Sequence, residues 1–119
     1  MVYVTDVNNN TVSVIDGKTN TVTATVPVGH LPADISVNPS TNTVYVANSD
    51  GKTISVISGK PNSVRAEIKV GIYPYGVSVN PSTNTVYVTD VGNNTVSVIN
   101  GKTNNVTAEI KVGTSPTLT

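Results

Sequence analysis

Few residues in this chain could do chemistry, and their types and spacing limit what that chemistry could be. His30 is the sole histidine, and Asp34, four positions on, is the nearest acidic group that could act with it. A general base needs such a partner within hydrogen-bond reach, yet a solvent-exposed loop histidine fits the same spacing. No residue is assigned a catalytic role. Asp6 with Asn8, Asn9 and Asn10, and Asp90 with Asn93 and Asn94, supply the oxygen atoms that hard cations take. They lack the bidentate Glu and fixed loop of a calcium motif, so they read as Asx-rich hairpin turns, and no metal or cofactor is expected. Tyr73 and Tyr75 flank Pro74 and offer a flat apolar platform for a sugar or peptide, with hydroxyls left to hydrogen-bond. Packing of both rings between neighbouring sheets is the competing reading.

The elements that must position these residues follow from an internal repeat. VYVTDVNNNTVSVID at Val2 returns as VYVANSDGKTISVIS at Val44 and as VYVTDVGNNTVSVIN at Val86, a period of 42 residues. Repetition at that spacing means one supersecondary unit is copied and must stack on its copies to bury its apolar faces. The units span 2–43, 44–85 and 86–119 of a single domain, 1–119. Each period holds four short alternating runs, clearest in the stretch 33–40, 43–49, 53–58 and 63–70, which straddles the boundary of the first two units. Asn38-Pro39-Ser40-Thr41-Asn42 and Asn80-Pro81-Ser82-Thr83-Asn84 read as turns in which Pro sets φ. Asp16-Gly17, Ser58-Gly59 and Asn100-Gly101 read as hairpin openings in which Gly takes positive φ. No segment carries a helical period.

Composition agrees with a β-rich globular chain. The apolar residues are mostly Val and Ile, Thr and Ser are abundant, and Phe, Trp and Cys are absent. Without Cys there are no disulfides and no thiolate metal sites. Seven Lys and Arg balance seven Asp and Glu, which leaves no field for nucleic acid or an anionic membrane, and no stretch suits membrane insertion. Met1 runs straight into VYVTD without a charged n-region or apolar h-region, as in a cytosolic chain or a piece cut from something longer.

Alternation puts Val44 and Val46 on one face of a strand and Tyr45 and Ala47 on the other, both apolar. Two buried faces suit a sheet held between two others, the arrangement of a β-propeller blade. The run with Arg65, Glu67 and Lys69 reads as the outer, half-solvated strand. VYVTD, NTVSVID and SVNPSTNTVYV, with the VGxxP pattern, together resemble the YVTN repeat of β-propellers over essentially the whole chain. The resemblance implies four-stranded antiparallel blades and a parent protein at the cell surface or extracellular, of surface-layer type. Related propellers include lactonases and redox-enzyme domains, but their sites need several His, Arg and acidic residues, and Arg65 is the only arginine here. Asn9, Asn93 and Asn105 begin N-x-T triplets that would accept glycan on export.

With the innermost strand of a blade named A and the outermost D, this all-β chain is a partial ring of about three blades, starting at a strand B and ending in a strand A stub. Three blades cannot close alone, because closed propellers have four to eight. Two copies would make six, so a homodimer is expected, with Ser115, Pro116, Thr117, Leu118 and Thr119 of each chain pairing beside Val2, Tyr3 and Val4 of the other. Further blades of a longer chain, including a propeller enzyme with its catalytic residues elsewhere, and an engineered repeat protein remain open alternatives. The D-to-A loops diverge: GHLPAD (29–34), GIYPYG (71–76) and GTSPTL (113–118). This gathers His30, Asp34, Tyr73 and Tyr75, with Asp6, Asp50 and Asp90 on the B-to-C loops, at the mouth of the axial channel. A binding surface is expected there, for a peptide or glycan.

Overall fold

Alternating β-branched residues punctuated by Asn, Gly and Pro give strands and tight turns throughout, and the computed structural model describes residues 1–118. The first sheet is three-stranded, in the order β1 (Val2–Asp6), β2 (Thr11–Asp16), β3 (Thr21–Pro27). The second runs β4 (Pro32–Asn38), β5 (Thr43–Asn48), β6 (Thr53–Gly59), β7 (Asn62–Lys69), and the third β8 (Pro74–Asn80), β9 (Thr85–Asp90), β10 (Thr95–Asn100), β11 (Asn105–Lys111). All pairs are antiparallel neighbours. These are the blades read from the repeat, and the first lacks an A strand as expected. Thr119, the last residue of the expected exchanged strand, lies outside the described residues.

The core consists of two apolar layers between sheets. Val44, Val46 and Ile57 of the second sheet pack on Val12, Val14 and Val26 of the first. Tyr45, Ala47, Ile54 and Val56 from the opposite face pack on Val77, Val86, Val88 and Ile99 of the third. The second sheet is therefore apolar on both sides, and β5 is buried along its whole length. The outer strand β7 alternates instead, with Arg65, Glu67 and Lys69 exposed.

A bulge in each outer strand changes which face a valine joins. Ladder partners skip from Ala24 to Val22, from Ala66 to Val64 and from Ala108 to Val106. Two residues apart on a regular strand share a face, but the extra residue turns Val64 toward the first sheet while Ala66 stays toward the third. Period-two reading of the sequence does not anticipate this.

The glycines at the C-to-D turns do not take positive φ, contrary to expectation. Positive φ falls on Asn20 and Asn104 there, and on Asn42 and Asn84 at the A-to-B turns, since Asn tolerates the left-handed region. Gly59 and Gly101 are required for another reason. A Cβ on either would collide with the side chain of Asn42 or Asn84, and the backbone carbonyl of that Asn also accepts the glycine N–H, at 2.9 and 2.8 Å. Gly17, on the sheet that lacks an A strand, has open space around it.

Candidate functional site

The B-to-C turns hold the D-to-A loops at one end of the sheets. Asn10 Oδ1 accepts the Leu31 N–H at 3.0 Å, Asn93 Oδ1 that of Ile72 at 3.3 Å, and Asn94 Oδ1 that of Ser115 at 3.1 Å. Backbone bonds run the other way, from Ser49 N to Leu31 O at 3.0 Å and from Val91 N to Tyr73 O at 3.0 Å. The Asn-rich runs thus clamp loops, and among the described residues no group of three or more His, Asp and Glu could hold a metal. Clamping forces Leu31, Tyr73 and Ser115, each followed by Pro, to φ of 51, 55 and 54°. Bulky residues rarely sit there, and a residue before Pro ordinarily stays extended. Such strain persists only where the surroundings fix it, and it tends to cluster at binding sites.

Between these loops lies a cavity of about 390 Å³, lined by Val7, Leu31, Pro32, Ala33, Asp34, Ser49, Tyr73 and Tyr75. Tyr73 and Tyr75 are 44% and 51% exposed, so they do not pack away between sheets. Their rings lie parallel within 8°, with centroids 6.5 Å apart. The Asp34 carboxylate is fixed by two backbone amides, accepting from Ile35 N at 2.9 Å and, across to the third sheet, from Val77 N at 3.1 Å.

The other expected site residues fall elsewhere. His30 and Asp50 are exposed and do not line the cavity; they meet only through the Asp50 N–H on the His30 carbonyl at 3.3 Å. Asp90 is fully buried, which corrects its expected position at the mouth. Its Oδ2 accepts from Ser97 Oγ at 2.6 Å and Thr95 Oγ1 at 3.1 Å, while no hydrogen bond of good geometry reaches Oδ1 from the described residues. Burial raises its pKa above the ordinary carboxylate value, opposed by the Ser97 and Thr95 hydroxyls and the Gly71 amide and reinforced by Glu109. Asp6 binds Ser13 and Thr11 in the same way at 2.7 and 3.0 Å, and Asn48 binds Ser55 and Thr53 at 2.8 and 3.1 Å. An acid or amide followed at five and seven positions by hydroxyls is a hairpin tie, and that repeated spacing was the signal in the sequence. Val7 and Ser49, which line the cavity, carried none.

Stacked four-stranded meanders with a loop-lined mouth define a β-propeller, of which this chain forms about three blades. A model of the NHL repeat matches residues 72–99, from the second D-to-A loop through most of β10. Kuenenia stuttgartiensis hydrazine synthase superposes with a TM-score of 0.91 at 26% identity, over 96% of this chain and 33% of that one. Apo AztD from Citrobacter koseri gives 0.77 at 18% identity, over 91% and 30%, and virginiamycin B lyase from Staphylococcus aureus 0.78 at 15%, over 94% and 38%. The chain therefore spans about a third of the length of these propeller structures. No curated protein matches it in sequence.

Proposed function

We propose that this chain is a non-enzymatic propeller module, an interaction or structural scaffold that completes its ring by self-association of two copies. The observation that carries the proposal is the equivalence of its uncovered faces to its own internal joints. Val44, Val46, Ile57 and Val64 meet the first sheet, and Val86, Val88, Ile99 and Val106 meet the second. The same positions of the first sheet are Val2, Val4, Ile15 and Val22, identical in type but facing no sheet among the described residues. The outer face of the third sheet carries Tyr87, Thr89, Val96, Val98, Ala108 and Ile110 where the first sheet, already in such a joint, carries Tyr3, Thr5, Val12, Val14, Ala24 and Val26.

One copy's third sheet therefore fits another's first sheet as the first fits the second, and two such joints close a ring. Three sheets per chain give six blades for two chains, inside the four-to-eight range of closed propellers. The chain's last residues support the same closure. Ser115 already has the left-handed geometry of Leu31 and Tyr73, and the Leu118 side chain sits against Gly76 on the innermost strand of the third sheet. From there Ser115–Leu118 can pair with the open edge of β1, to which Tyr3 contributes only backbone, since its side chain packs toward the second sheet.

The VYVTD, NTVSVID and SVNPSTNTVYV segments further support assigning the repeats to the YVTN type, in a parent protein at the cell surface. Light scattering coupled to size-exclusion chromatography over a concentration series tests the assembly. A mass near twice 12.3 kDa is expected. A folded monomer at every concentration would overturn the ring and favour closure by further blades of a longer polypeptide.

A further inference from the structure

We infer that the mouth cavity is a site for an organic cation carrying an alkylammonium or quaternary ammonium group. At about 390 Å³ it falls in the size range of small-molecule sites. Among the described residues of the lining Asp34 is the only charged one, with neither Lys nor Arg beside it. Each Asp34 oxygen accepts one backbone amide, which fixes the carboxylate and leaves lone pairs on both oxygens for a ligand.

Tyr73 and Tyr75 supply the second half of the recognition. Their rings are parallel with centroids 6.5 Å apart, near the upper limit for aromatic pairs, and both residues are about half exposed, so a ligand can reach them. The negative face of a tyrosine attracts a cation, most strongly where water is excluded. Val7, Leu31, Pro32 and Ala33 would cover the alkyl part of the ligand.

A neutral sugar fits the same walls poorly. The one lining hydroxyl besides the tyrosines, Ser49 Oγ, already donates to Leu31 O at 2.7 Å. Sugar hydroxyls could donate to Asp34, but a neutral ligand leaves the charge of that carboxylate uncompensated. An anionic ligand would meet the Asp34 carboxylate. The cavity is built from one chain, so the site does not depend on how the ring closes.

The test is a titration of the full chain with choline, and with the uncharged isostere in which carbon replaces the quaternary nitrogen, followed by the backbone amide resonances of Ile35 and Val77. Choline is expected to shift both saturably, with the isostere about tenfold weaker, the size of one cation contact. Asp34→Asn, which keeps an acceptor for the Val77 amide, is expected to weaken choline about tenfold, and Tyr75→Leu, away from that bond, to weaken it several-fold. Equal binding of the isostere, undiminished binding by both variants, tighter binding of methyl glucoside, or no saturable shift would each overturn the inference.

Discussion

Substituting Val4 separates the fold of one chain from the closure of the ring. Its counterparts Val46 and Val88 are fully buried in the two internal joints, whereas Val4 is 39% exposed. Fully burying a Val or Ile stabilises by about 1.5–3 kcal/mol, so partly exposed residues such as Val2, Val4, Val22, Ile110 and Val112 contribute about 1 kcal/mol each on closure. Two joints then gather on the order of 10 kcal/mol, against roughly 4–15 kcal/mol lost on association. With a margin that narrow, one wrong side chain decides the outcome. Val4→Asp would bury an unpaired carboxylate at each joint, costing about 3 kcal/mol or more each time, so about 6 kcal/mol per ring and roughly 10⁴-fold in dissociation constant. Within one chain the same carboxylate still reaches water. Sedimentation equilibrium should therefore give a dimer for the parent chain and 12.3 kDa for the variant at every concentration, with unchanged circular dichroism. Val46→Asp, by contrast, should unfold the chain. Association of Val4→Asp at parental strength would refute the joint equivalence.

Asp90 predicts an unusual pH dependence. Because burial raises its folded pKa, the folded chain holds that proton more tightly than the unfolded one, so its contribution to stability is full below the unfolded value and declines as pH rises through the folded one. Asp90→Asn, for which Asn48 supplies a working precedent with Thr53 and Ser55, should remove that decline from about pH 4 upward in urea unfolding; superimposable profiles would discount the effect. The turn glycines give a paired test. Gly101→Ala should lose about 1–3 kcal/mol through overpacking on Asn84, whereas Gly17→Ala should be neutral or gain up to about 1 kcal/mol through the unfolded state. Equal thermal shifts for the two would show that the contact with Asn84 relaxes freely.

The architecture was legible because period and face are properties of residue type. Val44 with Val46 and Tyr45 with Ala47 divide between two joints as alternation requires. What stayed hidden depends on where one residue sits relative to a distant one. Nothing in Val64-Arg65-Ala66 announces a bulge, so the rotation of Val64 toward the first sheet appears only in the ladder. Leu31 and Tyr73 adopt positive φ although each precedes Pro, because Asn10 and the backbone of Val91 hold their loops from other strands. Asp90 looked like a loop carboxylate until hairpin register brought Thr95 and Ser97 onto it. For the cavity, the tyrosine pair and Asp34 were visible in advance, while Val7 and Ser49 joined them only through folding.

The repeats are most alike where sheets meet and least alike at the mouth, and the two facts have separate physical causes. A joint copied along a ring must be self-complementary at every step, so Val, Val, Ile and Val recur at the same positions in all three units. The D-to-A loops close on turns and clamps rather than on another sheet, so their outward side chains vary without disturbing a joint. Leu31 and Tyr73 share one backbone conformation and one kind of tether while presenting different side chains to the cavity. Assembly and recognition are thereby written on different surfaces of the same strands. A substitution on the valine faces should alter mass and leave cation binding intact, and one at Asp34 or Tyr75 should do the reverse.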